Sequence, residues 1–312
     1  MSLVFGPLLS RRFGLSLGVD LSPVYKQCNF NCVYCELKAS SPIDSQERII
    51  PPSQVLSAVE SALNLHKNLE VLTFTANGEP TLYPHLEEVI LGAKSLVKPY
   101  PGLKTLILSN GSRFGECKKA LMHFDLVKFS LDSLDPVVFK RVDKPSKSLS
   151  LSAMKAGLMD FAKDYRGELI AEILVVARIN DEAHLHRQSA DFLKALGIKR
   201  LDISTIDRPS SHRVFPVSMS KLYEIAEVFD GLPVCVVTRQ DAQKDIEKRN
   251  LDSKAILETL RRRPLSRLDC ETLWDEASGQ LVENLVKEGE VVIRRVAGLD
   301  FYYANSQQIR PG

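Results

Sequence analysis

Short apolar runs alternate with longer stretches of helical spacing between about residue 70 and residue 205, which predicts β-α units stacked around a parallel sheet. The runs Leu15 to Leu21, Val71 to Ala76, Thr105 to Ser109, Leu126 to Leu131, Leu169 to Ala177 and Leu201 to Thr205 read as strands buried on both faces. Helical spacing fills about 52–65, 84–97, 115–123, 135–141, 150–164 and 182–196. Pro51 and Pro52 suit entry to the first of these, and Gly197 suits the end of the last. Ser218 to Phe229 and Val234 to Val237 add one more helix and strand. An α/β fold follows, a partial or complete (β/α) barrel.

The pattern changes after about residue 240. Helices are expected at Ser253 to Arg263, Leu268 to Glu276 and Gln280 to Glu288, then a strand pair, Val291 to Val296 and Phe301 to Tyr303, turning at Gly298. This helix-helix-helix-hairpin order resembles a winged helix. The chain therefore divides into a core domain, 1–240, and a small C-terminal domain, 241–312.

Charge narrows the partners. Lys and Arg total 41 against 39 Asp and Glu in 312 residues, so no overall field draws the chain to nucleic acid or an anionic membrane. Met1 to Asp20 carries Arg11 and Arg12 but no apolar run of signal-peptide length, and nowhere do about 18 apolar residues run together. A cytoplasmic protein with no membrane partner is expected. Six cysteines, three of them within eight positions, do not form the dispersed framework of a secreted disulfide protein, and a reducing compartment leaves thiolates free to bind metal.

Cys28-Asn-Phe-Asn-Cys32-Val-Tyr-Cys35 has the spacing C-x3-C-x2-C, which lets three thiolates from one loop converge on an inorganic cluster. Chance gives this spacing in roughly 0.2% of chains with this cysteine content. A structural zinc site would want four closed ligands, and Cys117, Cys235 and Cys270 stand alone. Three ligands on a four-iron cluster leave one iron open to a chelating substrate.

With Tyr34 just before its last cysteine, this segment resembles the signature of the radical S-adenosylmethionine (SAM) superfamily, a similarity covering roughly residues 10 to 240. The resemblance implies a partial (β/α)6 TIM-type barrel and a [4Fe–4S] cluster on Cys28, Cys32 and Cys35, with SAM chelating the fourth iron. An electron from a donor such as flavodoxin or ferredoxin would then split SAM into methionine and a 5′-deoxyadenosyl radical, which abstracts hydrogen from a substrate. Asn77-Gly78-Glu79-Pro80, after the second strand of the repeat, is similar to the superfamily's Gly-Gly-Glu-Pro segment, with Asn77 in place of the first glycine. That similarity assigns Glu79 to the ammonium of SAM and gives Gly78 the role of close backbone approach. Asn110, Ser130 and Asp132 are the polar ends expected to contact the carboxylate and ribose of SAM. Arg178, Asn180, Asp207 and Arg208, after the next two strands, could face cofactor, substrate or solvent. Glu172, interrupting an apolar strand, is either paired inward or exposed at an edge.

The run from Ser10 to Asp20, with Gly6-Pro7 before it, looks like a branch loosely related to the wyosine-base synthetases of transfer RNA, a fold-level analogy. Those enzymes carry additional N-terminal cysteines, and this chain has none before Cys28. Arg261-Arg262-Arg263 and Arg294-Arg295 point toward nucleic acid, transfer RNA included, but residues 241–312 hold twelve Lys and Arg against thirteen Asp and Glu, without the basic excess of an electrostatic footprint. The competing class is an iron–sulfur redox sensor whose winged helix binds nucleic acid. Trp274 is expected in the core of the small domain.

Overall fold

The computed structural model describes residues 3–10, 12–237, 248, 250–262, 264–296 and 299–305. Arg11, Arg263, the Gly298 turn and the boundary at 240/241 lie outside the described residues. Two compact units emerge, a larger one of Ser2–Ile206 with Ser210–Asp241 and a smaller one of Asp207–Pro209 with Ala242–Gly312. Among the described residues no helix is long and apolar enough to cross a membrane.

The larger unit is built on eight strands in sequential order: β1 (Val4–Ser10), β2 (Gly14–Asp20), β3 (Val71–Thr75), β4 (Lys104–Ser109), β5 (Leu126–Ser130), β6 (Glu168–Val175), β7 (Arg200–Thr205) and β8 (Val234–Val236). The seven strands β2 to β8 run parallel, and among the described residues β8 is not paired back to the first strands, so the sheet is an open, partial TIM-type barrel. The sequence pattern omits β1, which pairs antiparallel with β2. Gly6-Pro7 sits where the register slips between Phe5 and Leu8, and the edge of a sheet tolerates proline.

Helices α1 (Pro52–Leu65), α2 (Leu86–Val97), α3 (Lys118–Leu121), α4 (Pro136–Val142), α5 (Leu151–Asp164), α6 (Arg187–Leu196) and α7 (Met219–Glu227) cover the outer face. In α1, Val55, Val59 and Leu63 recur every four residues and are buried, so one stripe faces the sheet. Ser150, Asp135 and Ser218 cap α5, α4 and α7 by accepting N–H bonds in the first turn. Gly197 ends α6 in the left-handed region at φ 65°, whereas the first turn of that predicted helix, Ala183–His186, is 3-10. Outward-facing Leu72, Phe74, Ile107, Val127, Phe129, Ile173 and Ile203 join Val89, Ile90, Leu158, Phe161 and Leu193 in one buried core.

The inward faces form layers. At the start of the strands Val71, Leu106, Leu126 and Ile170 pack together, with Phe13 of the β1–β2 turn against them. Next to this layer Lys128 donates to Glu172 (2.8 Å) and Asp202 (2.9 Å), and Arg12 pairs with the same two carboxylates at 2.8 and 3.3 Å. Arg200 pairs with Asp202 at 2.9 Å and lies over the Phe13 ring. Glu172 is therefore inward and paired. Burial alone would raise its carboxyl, but Lys128 and Arg12 outweigh that and hold it at about 2, below the usual 4.5. A depressed carboxyl adds stability that is complete above pH 4.5 and disappears as pH falls through 2. The contribution is on the order of 2 kcal/mol. In urea unfolding Glu172→Gln should therefore be about that much less stable than the parent at pH 7, with the gap closing toward pH 2; a gap independent of pH would contradict this.

The smaller unit runs α8 (Ser253–Arg262), β9 (Leu265–Ser266), α9 (Arg267–Leu273), α10 (Glu276–Lys287), β10 (Val291–Val296) and β11 (Leu299–Ala304). Its antiparallel sheet has the order β10-β11-β9, and the two-residue β9 is invisible to periodicity. Asp275 caps α10, so this helix begins at Glu276 rather than Gln280, and α9 stops at Leu273. Trp274 is buried with Ile256, Leu260, Val282, Leu285 and Phe301.

Candidate active site

The loop after β2 has little regular structure, so buried polar side chains fix its shape. Gln27 uses its whole amide: Nε2 donates to Ser22 Oγ and Arg48 O, and Oε1 accepts from Glu47 N and Arg48 N. Asp20, ending β2, accepts from Ser22 N and Asn77 N, which ties the loop to the segment after β3. The main chains then pair directly. Gln27 N donates to Asn77 O (2.8 Å), and Glu79 N donates to Gln27 O (3.0 Å). Gly78 between them has φ 135°, and a Cβ there would lie 1.8 Å from Gln27 O. The close approach that Gly78 permits is to the cysteine loop itself.

Cys28, Cys32 and Cys35 are half-buried on this loop, at the carboxyl ends of the strands. Phe30 N–H points at Cys28 Sγ (3.4 Å), with the Asn110 amide at 3.9 Å. Cys32 Sγ lies 3.5 Å from Asp143 Oδ1, and Lys26 Nζ lies 3.6 Å from Cys35 Sγ. Burial, reinforced by the Glu79 charge, pushes the Cys28 thiol up to about 12, and burial beside Asp143 moves Cys32 the same way. Metal must therefore displace protons from these thiols. Among the described residues no three His, Cys, Asp or Glu side chains are grouped to hold a single ion. A cluster spreads three thiolates over three irons, so the donor set of three loop cysteines, backed by N–H donors to sulfur, fits an iron–sulfur cluster.

Glu79 is only 1% exposed, and its carboxylate is filled from within. Oε1 accepts from Thr81 N, Thr81 Oγ1 and Ser109 Oγ, and Oε2 from Asn110 N at 2.6 Å. It joins the strand ends of β3 and β4, with Oε2 accepting from Asn110 N alone among these bonds. Pro80 opens a 3-10 turn, Pro80–Leu82, and is buried. In Asp132, Oδ2 accepts from the Tyr34 hydroxyl at 2.5 Å and Oδ1 from Leu174 N at 2.7 Å. It also shares a hydrogen bond with Asp143, and burial pushes both carboxyls up. Tyr34 and Asp132 thus hold the loop to the barrel.

Asn110 donates to Asn29 Oδ1 (2.8 Å) and accepts from Ser112 N, aligning the Cys28 loop with β4. Ser130 ends β5 on its inward face, opposite Glu172 in register. Asn180 is buried, donating to Asp132 O and Leu174 O and accepting from Val176 N, so it shapes its own loop. Arg178 is exposed with φ 65°, and Arg141 donates to its carbonyl. Arg208 is buried within the smaller unit, bonded to Pro264 O. Sequence reasoning missed Lys26, Gln27, Asn29 and Asp143; the first three carry only the signal of lying beside the cysteines.

Residues 22–183 match the Radical SAM superfamily. A UPF0026 protein of Helicobacter pylori strain J99 is 45% identical over 308 residues, covering 97% of this chain and 98% of its own. The fold is similar to the crystal structure of a radical SAM methyltransferase from Sphaerobacter thermophilus, with TM-score 0.52 and 12% identity over 71% of this chain and 66% of that one. A structure of TYW1 with a lysine–pyruvate adduct bound is similar over 69% of this chain and 72% of that one, with 16% identity and TM-score 0.48. On the superfamily match and the full-length identity, this chain is an enzyme of the radical SAM superfamily and a member of the UPF0026 family.

Proposed function

We propose that this enzyme holds a [4Fe–4S] cluster on Cys28, Cys32 and Cys35, binds SAM at the open iron, and abstracts hydrogen from a substrate lying over the strand ends. The carrying observation is the cysteine loop itself, set at the carboxyl ends of β2 to β5 by Gln27, Asp20, Gly78 and the Tyr34–Asp132 bond. When bound, the cluster supplies the electron that cleaves SAM to methionine and a 5′-deoxyadenosyl radical. The chain's residues orient and exclude. Asn110 and Phe30 N–H direct donors at Cys28, and the packed layers at the strand starts close the barrel's other end, so reactants meet at one mouth.

The electron comes from a low-potential donor such as flavodoxin or ferredoxin, and the setting is cytoplasmic. RNA, transfer RNA first, is the substrate class favoured by the helix-strand-helix-helix-hairpin order of the smaller unit, a winged-helix order, and by exposed Arg294 and Arg295 on β10. A redox sensor would need the cluster and the small unit but no SAM site. In anaerobic assays of iron-loaded protein with dithionite and SAM, 5′-deoxyadenosine should form and increase with bulk transfer RNA. A yield unaffected by RNA removes the RNA assignment, and operator binding governed by cluster oxidation, without cleavage, would favour the sensor.

A further inference from the structure

The three cysteine sulfurs have unequal surroundings. Cys28 has a backbone N–H and the Asn110 amide, both neutral, and Cys32 faces the carboxyl of Asp143. Cys35 alone, among the described residues, has a cation in bonding range, with Lys26 Nζ at 3.6 Å. That ammonium is braced. It also donates to Asn31 Oδ1 at 3.4 Å, and Asn31 is fixed by its own N–H to Asp143 O and Lys144 O and by Ser40 N donating to its side chain. Buried Glu79, Asp132 and Asp143 surround the same loop. Negative charge added at the cysteines is thus met by acids on several sides and by a positive charge at Cys35.

We propose that Lys26 is a positioning residue for electron entry, holding its charge against Cys35 so that the reduced cluster is stabilised over the oxidised one. The proposal rests on the cluster reading above. One electron passes from a low-potential one-electron donor to the cluster, the donor is oxidised by one electron, and the added negative charge resides on the cluster with its thiolates. A fixed cation at hydrogen-bonding distance from one ligand sulfur favours that state, because charge and hydrogen bonds at the sulfurs set the potential of iron–sulfur centres. The effect requires the charge, so an arginine in place of the lysine preserves it and a neutral side chain does not.

The test is a redox titration of full-length, anaerobically reconstituted protein without SAM, followed by electron paramagnetic resonance, with iron content measured on every sample. Lys26→Arg should match the parent within about twofold in its reduction equilibrium. Lys26→Gln and Lys26→Met, at equal iron, should be about tenfold harder to reduce, a downward shift of about 59 mV for one electron. An unchanged potential in both neutral variants overturns the proposal. Loss of iron from both, with Lys26→Arg intact, would place Lys26 in cluster assembly and overturn a role in potential. A parent that holds no cluster at all overturns the underlying reading, and the proposal with it.

Discussion

Replacing Cys32 with Ala should take reconstituted iron from about four per chain to near zero and abolish 5′-deoxyadenosine formation in the same step. Cys32 is the middle cysteine of the loop, and the two that remain, Cys28 and Cys35, are seven positions apart with no other cysteine between them. The loss should not reflect unfolding. The chain loses one sulfur beside Asp143, while Gln27, Asn29 and Tyr34 continue to hold the loop. Cys235→Ala, at the exposed position of β8, is the matched control and should keep its iron. Iron retained with Cys32→Ala, together with cleavage, would remove the cysteine loop from the chemistry.

Gly78→Ala should be nearly as damaging without touching a ligand. A methyl group there would lie 1.8 Å from the carbonyl oxygen of Gln27 and 2.4 Å from its carbon, both main-chain atoms that cannot turn aside. Gly78 also sits at φ 135°, where side-chain-bearing residues are strained. The pairing of the cysteine loop with the 77–79 segment must open, at a cost of about 3 kcal/mol, and iron incorporation should fall at least tenfold. Gly197→Ala is the contrast: at φ 65° with nothing within 4 Å of its Cβ, it should lose about 1 kcal/mol and no iron. Thermal unfolding and iron assay of both variants decide the matter, and equal iron in Gly78→Ala and parent would contradict the close-approach role.

What the sequence discloses depends on how local the cause is. The buried strands β3 to β7 declare themselves because each is a short apolar run, and C-x3-C-x2-C points to a cluster because its three cysteines share one loop. β1 is hidden because its strand character depends on pairing with β2, and β9 because two residues show no period. For Glu79 and Asp132, a motif does not disclose which donors surround a carboxylate. Ser109, Thr81 and Asn110 claim the first, and Tyr34 with Leu174 N claims the second. Asp143, at the end of α4, reaches Cys32 from 111 positions away, and no spacing rule carries that contact. Glu172 is an intermediate case: one charge within an apolar strand leaves inward pairing and edge exposure both open, and the barrel decides it with Lys128 and Arg12.

The central claim is that Cys28, Cys32 and Cys35 carry a cluster that cleaves SAM. Protein purified without oxygen, reconstituted with iron and sulfide and reduced with dithionite should convert SAM to 5′-deoxyadenosine and methionine, with about four irons per chain. A full complement of iron with no 5′-deoxyadenosine, under conditions where another radical SAM enzyme turns over, would contradict it.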